Sequence, residues 1–549
     1  MSQTHLRPRH DPVRKFRLVS LPDKTCKIFS YLTRICLLLC LIFSISLVLY
    51  TTFSPNQNQF WNRLPHPTRT GTKLAPGPPT NISHVLFCIG GSTATWRDRS
   101  LYSSIWWVPN VTRGFVWLEK KIISHQTNKN VPAVKVSSPE WTRFKYSSSR
   151  SAVRIARIIS DSVKLRLPDV RWFVMGDDDT VYYTDNLVSV LSRYDHNQMW
   201  YIGGNSESVE QDVIHSYDMA FGGGGFALSY PLAERLVSIL DGCLDRYYYF
   251  YGSDQRIWAC ISEIGVPLSR ERGFHQGNTR WRLREGSVVK VCSVLLCSVA
   301  HTLSTKEVTF VGLSKKTSIL FKKKTFDIRG SAYGLLAAHP LAPLVSLHHL
   351  DNLEPLFPNH NRIDSLKSIN QAYQVDPPRI FQQTFCHDSK RKWSISIAWG
   401  YTVQLYPLLL PANGLQTPEQ TFKTWRSWSD GPFTFNTRPT EPDPCKQPVV
   451  FMLEQAKEGG VNGSLSSYKR IVHEPGKTCK TTQYAQAMSV QRILVSSLKM
   501  EPDYWKKSRE QAPRRYCCEL MNKGSIKNSS MQLRIRRCRN WESITSRLD

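Results

Sequence analysis

The sequence predicts an α/β domain with a largely parallel sheet, followed by a smaller β-rich region. Between residues 81 and 270, short apolar stretches typical of strands alternate with longer stretches whose apolar residues recur at helical spacing. Such alternation is typical of a parallel sheet with helices packed on it. From about residue 353 onward, short strand-like stretches with many prolines and tryptophans replace this pattern. The chain of 549 residues is long enough for two or more domains.

The elements of the α/β domain follow one another along the chain. The first is "HVLFCIGG", an apolar strand that ends in two glycines, and strands at 112–118 and 132–138 come next. A helix is predicted over 147–165, because apolar residues recur there at helical spacing and Ser147 to Ser149 offer an N-cap. The remaining predicted elements are the strand "RWFVM" at 171–175, a helix at 185–194, a strand at 198–204 and a helix at 231–240.

The first eighty residues predict a membrane anchor and a linker. Residues 35–53 contain no charged side chain, and their length suffices to cross about 30 Å of hydrocarbon as a helix. Residues 1–34 carry eight Lys and Arg against two Asp, so the positive-inside rule places the N-terminus in the cytoplasm. A cleaved signal peptide is the alternative, but the long basic lead-in and the lack of an Ala-x-Ala-like site favour an uncleaved anchor. Residues 54–80, rich in Pro, Asn and Thr, predict a stem.

A lumenal location of everything after the anchor agrees with two further patterns. Glycosylation sequons occur at Asn81, Asn110, Asn462 and Asn528. The cysteines after the anchor would lie where disulfides form. The predicted bridges are Cys243 with Cys260 and some pairing among Cys386, Cys445, Cys479, Cys517 and Cys518, whose connectivity the sequence leaves open.

The net charge of +29 does not predict a nucleic-acid-binding protein. Residues 1–34 contribute +6 and residues 277–325 contribute +8, and the rest of the excess is spread without a single basic helix or stripe. A nucleic-acid-binding domain would concentrate its Lys and Arg on one face.

Three adjacent carboxylates, Asp177, Asp178 and Asp179, follow the buried strand "RWFVM". Like charges this close repel one another unless a cation lies among them. In open α/β sheets, ligands bind outside the carboxyl ends of strands, which is where these residues lie. Hard divalent cations take oxygen ligands and commonly share them with phosphate groups. The run therefore predicts a divalent cation that bridges to a nucleotide diphosphate; a solvated loop is the alternative.

Five blocks in fixed order carry a family resemblance: "WFVMGDDDTVY", "AFGGGGFALSYPLAERL", "YGSDQRIWACISEIGV", "GFHQ" and "HPLAPLVSLHHLD". The chain resembles the Fringe-type β1,3-glycosyltransferases, and most closely the plant Fringe-related proteins, over about residues 81–518. The resemblance implies a GT-A fold at 81–352 with an accessory region at 353–518. It further implies a Golgi type II membrane protein with a lumenal catalytic domain. The implied chemistry is Mn²⁺-dependent transfer from a UDP-sugar to a glycan or glycoprotein acceptor, with inversion.

The resemblance also implies roles for individual residues. Asp177 and Asp178 correspond to donor contacts, and Asp179 corresponds to a metal ligand. His349 is the implied second metal ligand, with His348 as the fallback. Asp254 in "GSDQ" corresponds to the catalytic base, which fits the need of an inverting transfer for a carboxylate near the acceptor hydroxyl. A helix N-cap is the other interpretation of Asp254, and the two roles are compatible.

A glycine run and an aromatic run each allow a functional and a structural interpretation. Gly222 to Gly225 match neither a dinucleotide fingerprint nor a P-loop. Glycine lets the backbone approach a ligand closely, so Gly223 and Gly224 are predicted to contact the donor, with a tight turn as the alternative. The aromatic run "RYYYFYG", Arg246 to Gly252, predicts either a sugar-stacking wall or core packing.

The chain departs from the family pattern at residues 277–325, which separate "GFHQ" from "FDIRG". A long structureless loop inside a compact domain is unusual, so a retained intron is the favoured interpretation of this segment, with a lid or membrane-surface loop as the alternative. If the segment is genuine, the chain could be an inactive, membrane-anchored glycan-binding or scaffold protein. Residues 519–549, with "RIRRCR", predict a basic, solvated tail.

Overall fold

The computed structural model describes residues 23–53, 78–122, 129–145, 150–276, 329–423, 435–471, 479, 481–508, 511–521, 526 and 528–545. The chain forms two compact units, Met1–Pro78 and Pro79–Asp549. In the first unit, helix α1 covers Asp23–Phe53 and includes the predicted anchor at 35–53. Among the described helices, none combines the length and the apolar character that crossing a membrane requires.

A seven-stranded sheet forms the centre of the α/β part of the second unit. Its strands are β1 Val85–Gly90, β2 Arg113–Leu118, β3 Ala133–Val136, β4 Trp172–Asp177, β6 Tyr201–Gly203, β7 Phe226–Ser229 and β8 Leu268–Arg270. Their order is β3–β2–β1–β4–β7–β6–β8. All neighbouring strands are parallel except β7, which runs antiparallel to both β4 and β6. The predicted, largely parallel α/β sheet is therefore present.

Helices and short strands connect and cover this sheet. The helices of this part are α2 Trp96–Trp106, α3 Arg150–Val163, α4 Thr184–Leu191, α5 Val209–Ile214, α6 Tyr230–Arg246, α7 Ser253–Ile264, α8 Tyr333–Ala337 and α9 Arg362–Val375. The helices predicted at 147–165, 185–194 and 231–240 correspond to α3, α4 and α6. The N-cap predicted at Ser147–Ser149 and the segment 277–325 lie outside the described residues.

The central strands are buried on both faces, as their continuous apolar sequence predicts. Side chains alternate along a strand, so in β4 Phe173 and Met175 pack with the apolar faces of α3, α6 and α7. Trp172 and Val174 point to the other face, into a second core. This second core continues without a break to Trp393 and Tyr468 of the β-rich region. The α/β part and the β-rich part therefore share one hydrophobic core.

A small three-stranded sheet lies at the carboxyl end of β4. It consists of β5 Val181–Tyr182, β11 Ser346–His348 and β9 Phe274–Gln276, with β11 in the middle. The parallel register of β9 and β11 places His348 opposite Gln276. Two sequence blocks that are distant in the chain are thereby brought beside the three aspartates.

The β-rich part is an eight-stranded sheet that closes on itself. Its strands are β12 Gln383–Asp388, β13 Trp393–Ala398, β14 Thr402–Tyr406, β16 Val449–Glu458, β17 Gly463–Arg470, β18 Arg492–Leu498, β19 Cys517–Leu520 and β20 Ser530–Arg536. The pair β10 Arg329–Gly330 and β15 Phe422–Lys423 lies apart from it. Short helices α10 Ala412–Gln416, α11 Thr482–Met488 and α12 Tyr504–Lys507 complete the described α-helices.

The prediction of a solvated tail after residue 518 is wrong for the described residues. Strand β20 pairs with β18 and β19, and it buries Met531, Leu533 and Ile535. These three residues alternate with polar ones, which is the pattern of a strand with one buried face. The high arginine content of the segment concealed that pattern.

Disulfides tie the closed sheet together and join two helices of the α/β part. The predicted bridge between Cys243 and Cys260 links α6 to α7. Among the five cysteines whose connectivity the sequence left open, Cys386 pairs with Cys518 and Cys445 pairs with Cys479. The fifth, Cys517, pairs with Cys538, which the predicted set did not include.

Candidate functional site

The three aspartates lie on a tight turn that directs their side chains to three different places. Thr180 holds this turn: its hydroxyl accepts from the backbone N–H of Asp177 at 2.9 Å and donates to the carbonyl of Gly223 at 2.7 Å. Asp177 faces a pocket, whereas Asp178 and Asp179 are 2% and 1% exposed. The turn therefore separates the three carboxylates, and the Thr180 hydroxyl connects it to the glycine run by a hydrogen bond.

Asp179, His348 and His349 form a cluster with the composition of a metal site. One ligand atom from each residue lies within 4.8 Å of the other two. His348 Nε2 is 3.0 Å from Asp179 Oδ1, and His349 Nε2 is 3.7 Å from Asp179 Oδ2. The two Asp179 oxygens and His348 Nε2 are buried without a partner in hydrogen-bond geometry. Electron-pair donors that face one another in this way fit a shared cation.

The orientation of His348 is fixed from behind. Its Nδ1 lies 2.9 Å from Gln276 Oε1, so the ring donates from Nδ1 and keeps Nε2 directed at Asp179. A metal-binding histidine commonly has such a partner on its other nitrogen. His349 adopts a left-handed backbone with φ of 57°, which turns its ring onto that of His348 at 3.8 Å between ring centroids. Both histidines that the sequence offered as alternatives thus reach Asp179.

Arg99 is the resident cation of the acidic turn, and the sequence did not predict it. It lies on α2, and its guanidinium is 2.9 Å from Asp178, 3.1 Å from Asp179 and 3.3 Å from Asp351. Burial alone would lower the pKa of Arg99, but these carboxylates outweigh it and raise the pKa. A permanent positive charge therefore offsets part of the repulsion within the turn.

Protonation within the cluster follows these contacts. Burial raises the pKa of Asp179, but His348, His349 and Arg99 outweigh it and lower the pKa below its ordinary value. Burial lowers the pKa of His348, and the carboxylates of Asp179 and Asp177 reverse this and raise it. Burial is the main cause of a pKa of about 7 for Asp177. Asp179 is thus the most firmly ionised carboxylate among the three aspartates.

Asp178 contacts the protein itself. One of its oxygens accepts from Arg99 Nη1 at 2.9 Å and the other accepts from the Thr95 hydroxyl at 3.1 Å. Asp178 is not among the residues that line the pocket, and its contact with the donor stays a prediction. Its position instead fixes Arg99 beside Asp179.

The glycine run provides space for the site residues. A Cβ at Gly223 would overlap the imidazole of His348, and one at Gly224 would lie 3.4 Å from Gln276 Oε1. Gly225 has φ of +89°, which glycine adopts without strain. The tight-turn interpretation of this run is therefore present in the structure, and donor contact by Gly223 and Gly224 stays a prediction.

We expect Gly223→Ala to displace His348. Overpacking of this kind typically costs about 1–3 kcal/mol of unfolding free energy, which a urea titration measures. We also expect Mn²⁺ to raise the thermal stability of the wild type, and the displaced imidazole to remove this increase. The matched control is Gly242→Ala in α6, where the nearest atom to the new Cβ is Arg246 Nη1 at 3.4 Å. An unchanged Mn²⁺ response in Gly223→Ala would contradict the placement of His348 in the metal cluster.

Asp254 and Asp177 line the same pocket, together with Gly222 and Ser253. Asp254 is the second residue of α7, whose N-cap is Gly252, so the N-cap interpretation of Asp254 is wrong. Its carboxylate accepts from the backbone N–H of Gly222 at 3.1 Å and of Gln255 at 2.9 Å. The structure thus brings the predicted base and the acidic turn to one opening.

The sequence model of a family described as proteins of unknown function, DUF604, matches residues 211–320 and 311–518, which together span more than half of the chain. The chain belongs to the DUF604 family. The matched ranges include Asp254, Gln276, His348 and His349. The match therefore covers Asp254 and the two histidines, whereas the three aspartates precede it.

This DUF604 family member is also similar to two proteins that are named as β-1,3-glycosyltransferases. The β-1,3-N-acetylglucosaminyltransferase lunatic fringe of Danio rerio is 28% identical over 177 residues, covering 29% of this chain and 42% of the relative. A β-1,3-glucosyltransferase of Homo sapiens is 25% identical over 154 residues, covering 28% of each. The chain thus matches less than half the length of either relative. These similarities agree with the Fringe resemblance; the closer resemblance to plant proteins stays a prediction.

A solved structure, mouse xyloside xylosyltransferase 1 in its apo form, is similar over 33% of this chain and 81% of that chain. Its identity is 12% and its TM-score is 0.23. At that score the likeness carries no argument about the DUF604 fold.

Proposed function

We propose that this protein transfers a sugar from a UDP-sugar to a hydroxyl group of a glycan or glycoprotein. The observation that carries the proposal is the meeting of Asp179, His348 and His349 next to a pocket lined by Asp177 and Asp254. Similarity to two relatives that are named β-1,3-glycosyltransferases supports the reaction class and the proposed β1,3 linkage.

In this proposal, Asp179, His348 and His349 hold Mn²⁺. Imidazole nitrogens favour transition metals over Mg²⁺ and Ca²⁺, and the carboxylate suits Mn²⁺. When bound, the ion would offset the negative charge that develops on the departing UDP. Gln276 keeps the His348 lone pair on Nε2, and Asp178 keeps Arg99 beside Asp179.

The pocket supplies the remaining groups. Asp177 offers its partly exposed carboxyl to the donor, and the backbone at Gly223 and Gly224 borders the same turn. Asp254 acts as the base that takes the proton from the acceptor hydroxyl as that oxygen attacks the anomeric carbon. A single displacement of this kind inverts the anomeric configuration.

We further propose that the protein works in the Golgi lumen as a type II membrane protein with a GT-A catalytic domain. Four disulfides among the described residues support an oxidising compartment. The four sequon asparagines, at positions 81, 110, 462 and 528, are exposed and open to glycosylation.

Titration calorimetry of the full-length chain with UDP tests the proposal. We expect UDP to bind in the presence of Mn²⁺ and to lose at least about tenfold in affinity, or about 1.4 kcal/mol, when EDTA removes the ion. A panel of UDP-sugars assayed for hydrolysis then identifies the donor. An inactive scaffold needs neither UDP nor Mn²⁺, so the absence of UDP binding would favour that alternative.

A further inference from the structure

The loop between α6 and α7 exposes aromatic rings beside the candidate base. Tyr248, Tyr249 and Tyr251 are 44%, 54% and 39% exposed. The other two aromatic residues of the run, Tyr247 and Phe250, stack on each other at 5.4 Å with an interplanar angle of 4°. The run therefore contains one stacked pair and three rings that solvent reaches, of which Tyr249 also packs against Phe250 at 4.7 Å between ring centroids.

A buried arginine fixes the backbone of this loop. Arg256 has no exposed surface, and its guanidinium donates to the carbonyl of Tyr248 at 2.9 Å and to that of Phe250 at 2.8 Å. Burial lowers the pKa of Arg256. The disulfide between Cys243 and Cys260 joins the two helices that flank the loop. A loop held this firmly presents its rings in a preset arrangement, which reduces the entropy lost when a ligand binds.

The loop continues directly into the pocket. Gly252 lies so close to Asp254 that a Cβ on the glycine would overlap the carboxylate, and Ser253 lines the pocket beside Asp254. Tyr251 is three residues before Asp254, which limits their Cα separation to about 11 Å. A ligand with one group at Asp254 therefore has the loop within about 11 Å.

We propose that Tyr248, Tyr249 and Tyr251 form the acceptor subsite and that the acceptor group bound there is a carbohydrate. A tyrosine ring combines an apolar face with a polar hydroxyl, which suits a sugar ring with apolar C–H faces and a hydroxyl rim. Tyrosine also provides contact area at low cost in side-chain entropy. This inference rests on the proposed function, because it assigns the acceptor of the same reaction.

The test is binding of a panel of methyl glycosides of galactose, glucose, N-acetylglucosamine and fucose to the full-length chain. Saturation-transfer NMR in the presence of UDP and Mn²⁺ reports the binding. We expect at least one glycoside to bind the wild type, Tyr249→Ala to weaken that binding about tenfold, and Tyr249→Phe to retain it because the ring face remains. Trp541→Ala is the control, since Trp541 is fully exposed and lies outside the loop.

The outcomes separate this inference from the proposed function. UDP affinity should be the same in Tyr249→Ala and the wild type, because Asp177, Asp179 and the histidines are unchanged. Equal glycoside binding by the wild type and Tyr249→Ala, or no glycoside binding by the wild type, would overturn the carbohydrate subsite while leaving the proposed function intact. A polypeptide acceptor on the loop would give this result. Failure of UDP to bind the wild type would overturn the proposed function itself.

Discussion

Replacing Asp179 with alanine should abolish sugar transfer and remove the dependence of UDP binding on Mn²⁺. Asp179 is the carboxylate of the metal cluster, and its oxygens face both histidines. Loss of a first ligand should cost more than the 10- to 100-fold typical of groups that only support a ligand. Calorimetry with UDP and Mn²⁺ measures this, as does thermal unfolding. A ligand at a hundred times its Kd stabilises the folded state by about 2.7 kcal/mol, and the variant should lose this gain.

The control for Asp179→Ala is Asp388→Asn, which removes a buried charge elsewhere. Asp388 lies in the β12–β13 hairpin, with its side chain 5% exposed and paired with Arg391 at 2.6 Å. We expect this variant to be destabilised and to respond to Mn²⁺ as the wild type does. Asp179→Ala should still fold, because Arg99 keeps Asp178 and Asp351 as partners. An Mn²⁺ response that survives in Asp179→Ala would exclude the cluster as the metal site.

The local sequence pattern was sufficient to locate those elements whose apolar residues form a continuous run or recur at helical spacing. Strand β4 is apolar on both faces, and α3 has an apolar stripe at helical spacing, so both could be located from the sequence. Strand β20 carries an equally regular alternation, with Met531, Leu533 and Ile535 on one face, yet the surrounding arginines favoured a solvated tail. The failure there came from weighing composition above periodicity.

The counter-charge at the acidic turn could not be predicted from local pattern. Helix α2 buries Ser100 and Ser103 next to Trp96 and Trp106, so it has no continuous apolar stripe to reveal it. Arg99 on this helix meets Asp178 across a sequence separation of 79 residues. Such a contact depends on how the helix packs, which no spacing in the sequence encodes. Arg99 therefore offsets part of the negative charge of the three adjacent carboxylates, and the sequence did not predict this contact.

The choice between His348 and His349 was also beyond local pattern. The resemblance implied His349, with His348 as the fallback. Neighbouring residues of a regular strand point to opposite faces, so a regular backbone would bring only one of them to Asp179. The strand ends at His348, and the left-handed backbone of His349 brings its ring back to the same side. The backbone conformation of His349 thus allows both histidines, and not only one of them, to lie beside Asp179.

Replacing Asp254 with asparagine should stop transfer while UDP still binds. The amide has the size of the carboxylate but does not accept a proton, and the loss of a general base typically lowers the rate by about 10²- to 10⁴-fold. The metal cluster does not include Asp254, so UDP affinity in Mn²⁺ should remain within about threefold of the wild type, or less than 1 kcal/mol. Single-turnover transfer assays and calorimetry on the same preparation measure the two effects separately.

The neighbours of Asp254 define what would contradict this assignment. Its carboxylate also accepts from the Gly222 N–H at 3.1 Å, so a purely structural role would disturb the glycine run and weaken UDP binding together with transfer. Glu263→Gln serves as the control, because Glu263 lies on the same helix and pairs with Arg246 at the surface. Wild-type turnover in Asp254→Asn would refute the base, and parallel loss of UDP binding would reassign Asp254 to holding Gly222. Only a loss of transfer with unchanged UDP binding would support Asp254 as the base that accepts the proton of the acceptor hydroxyl.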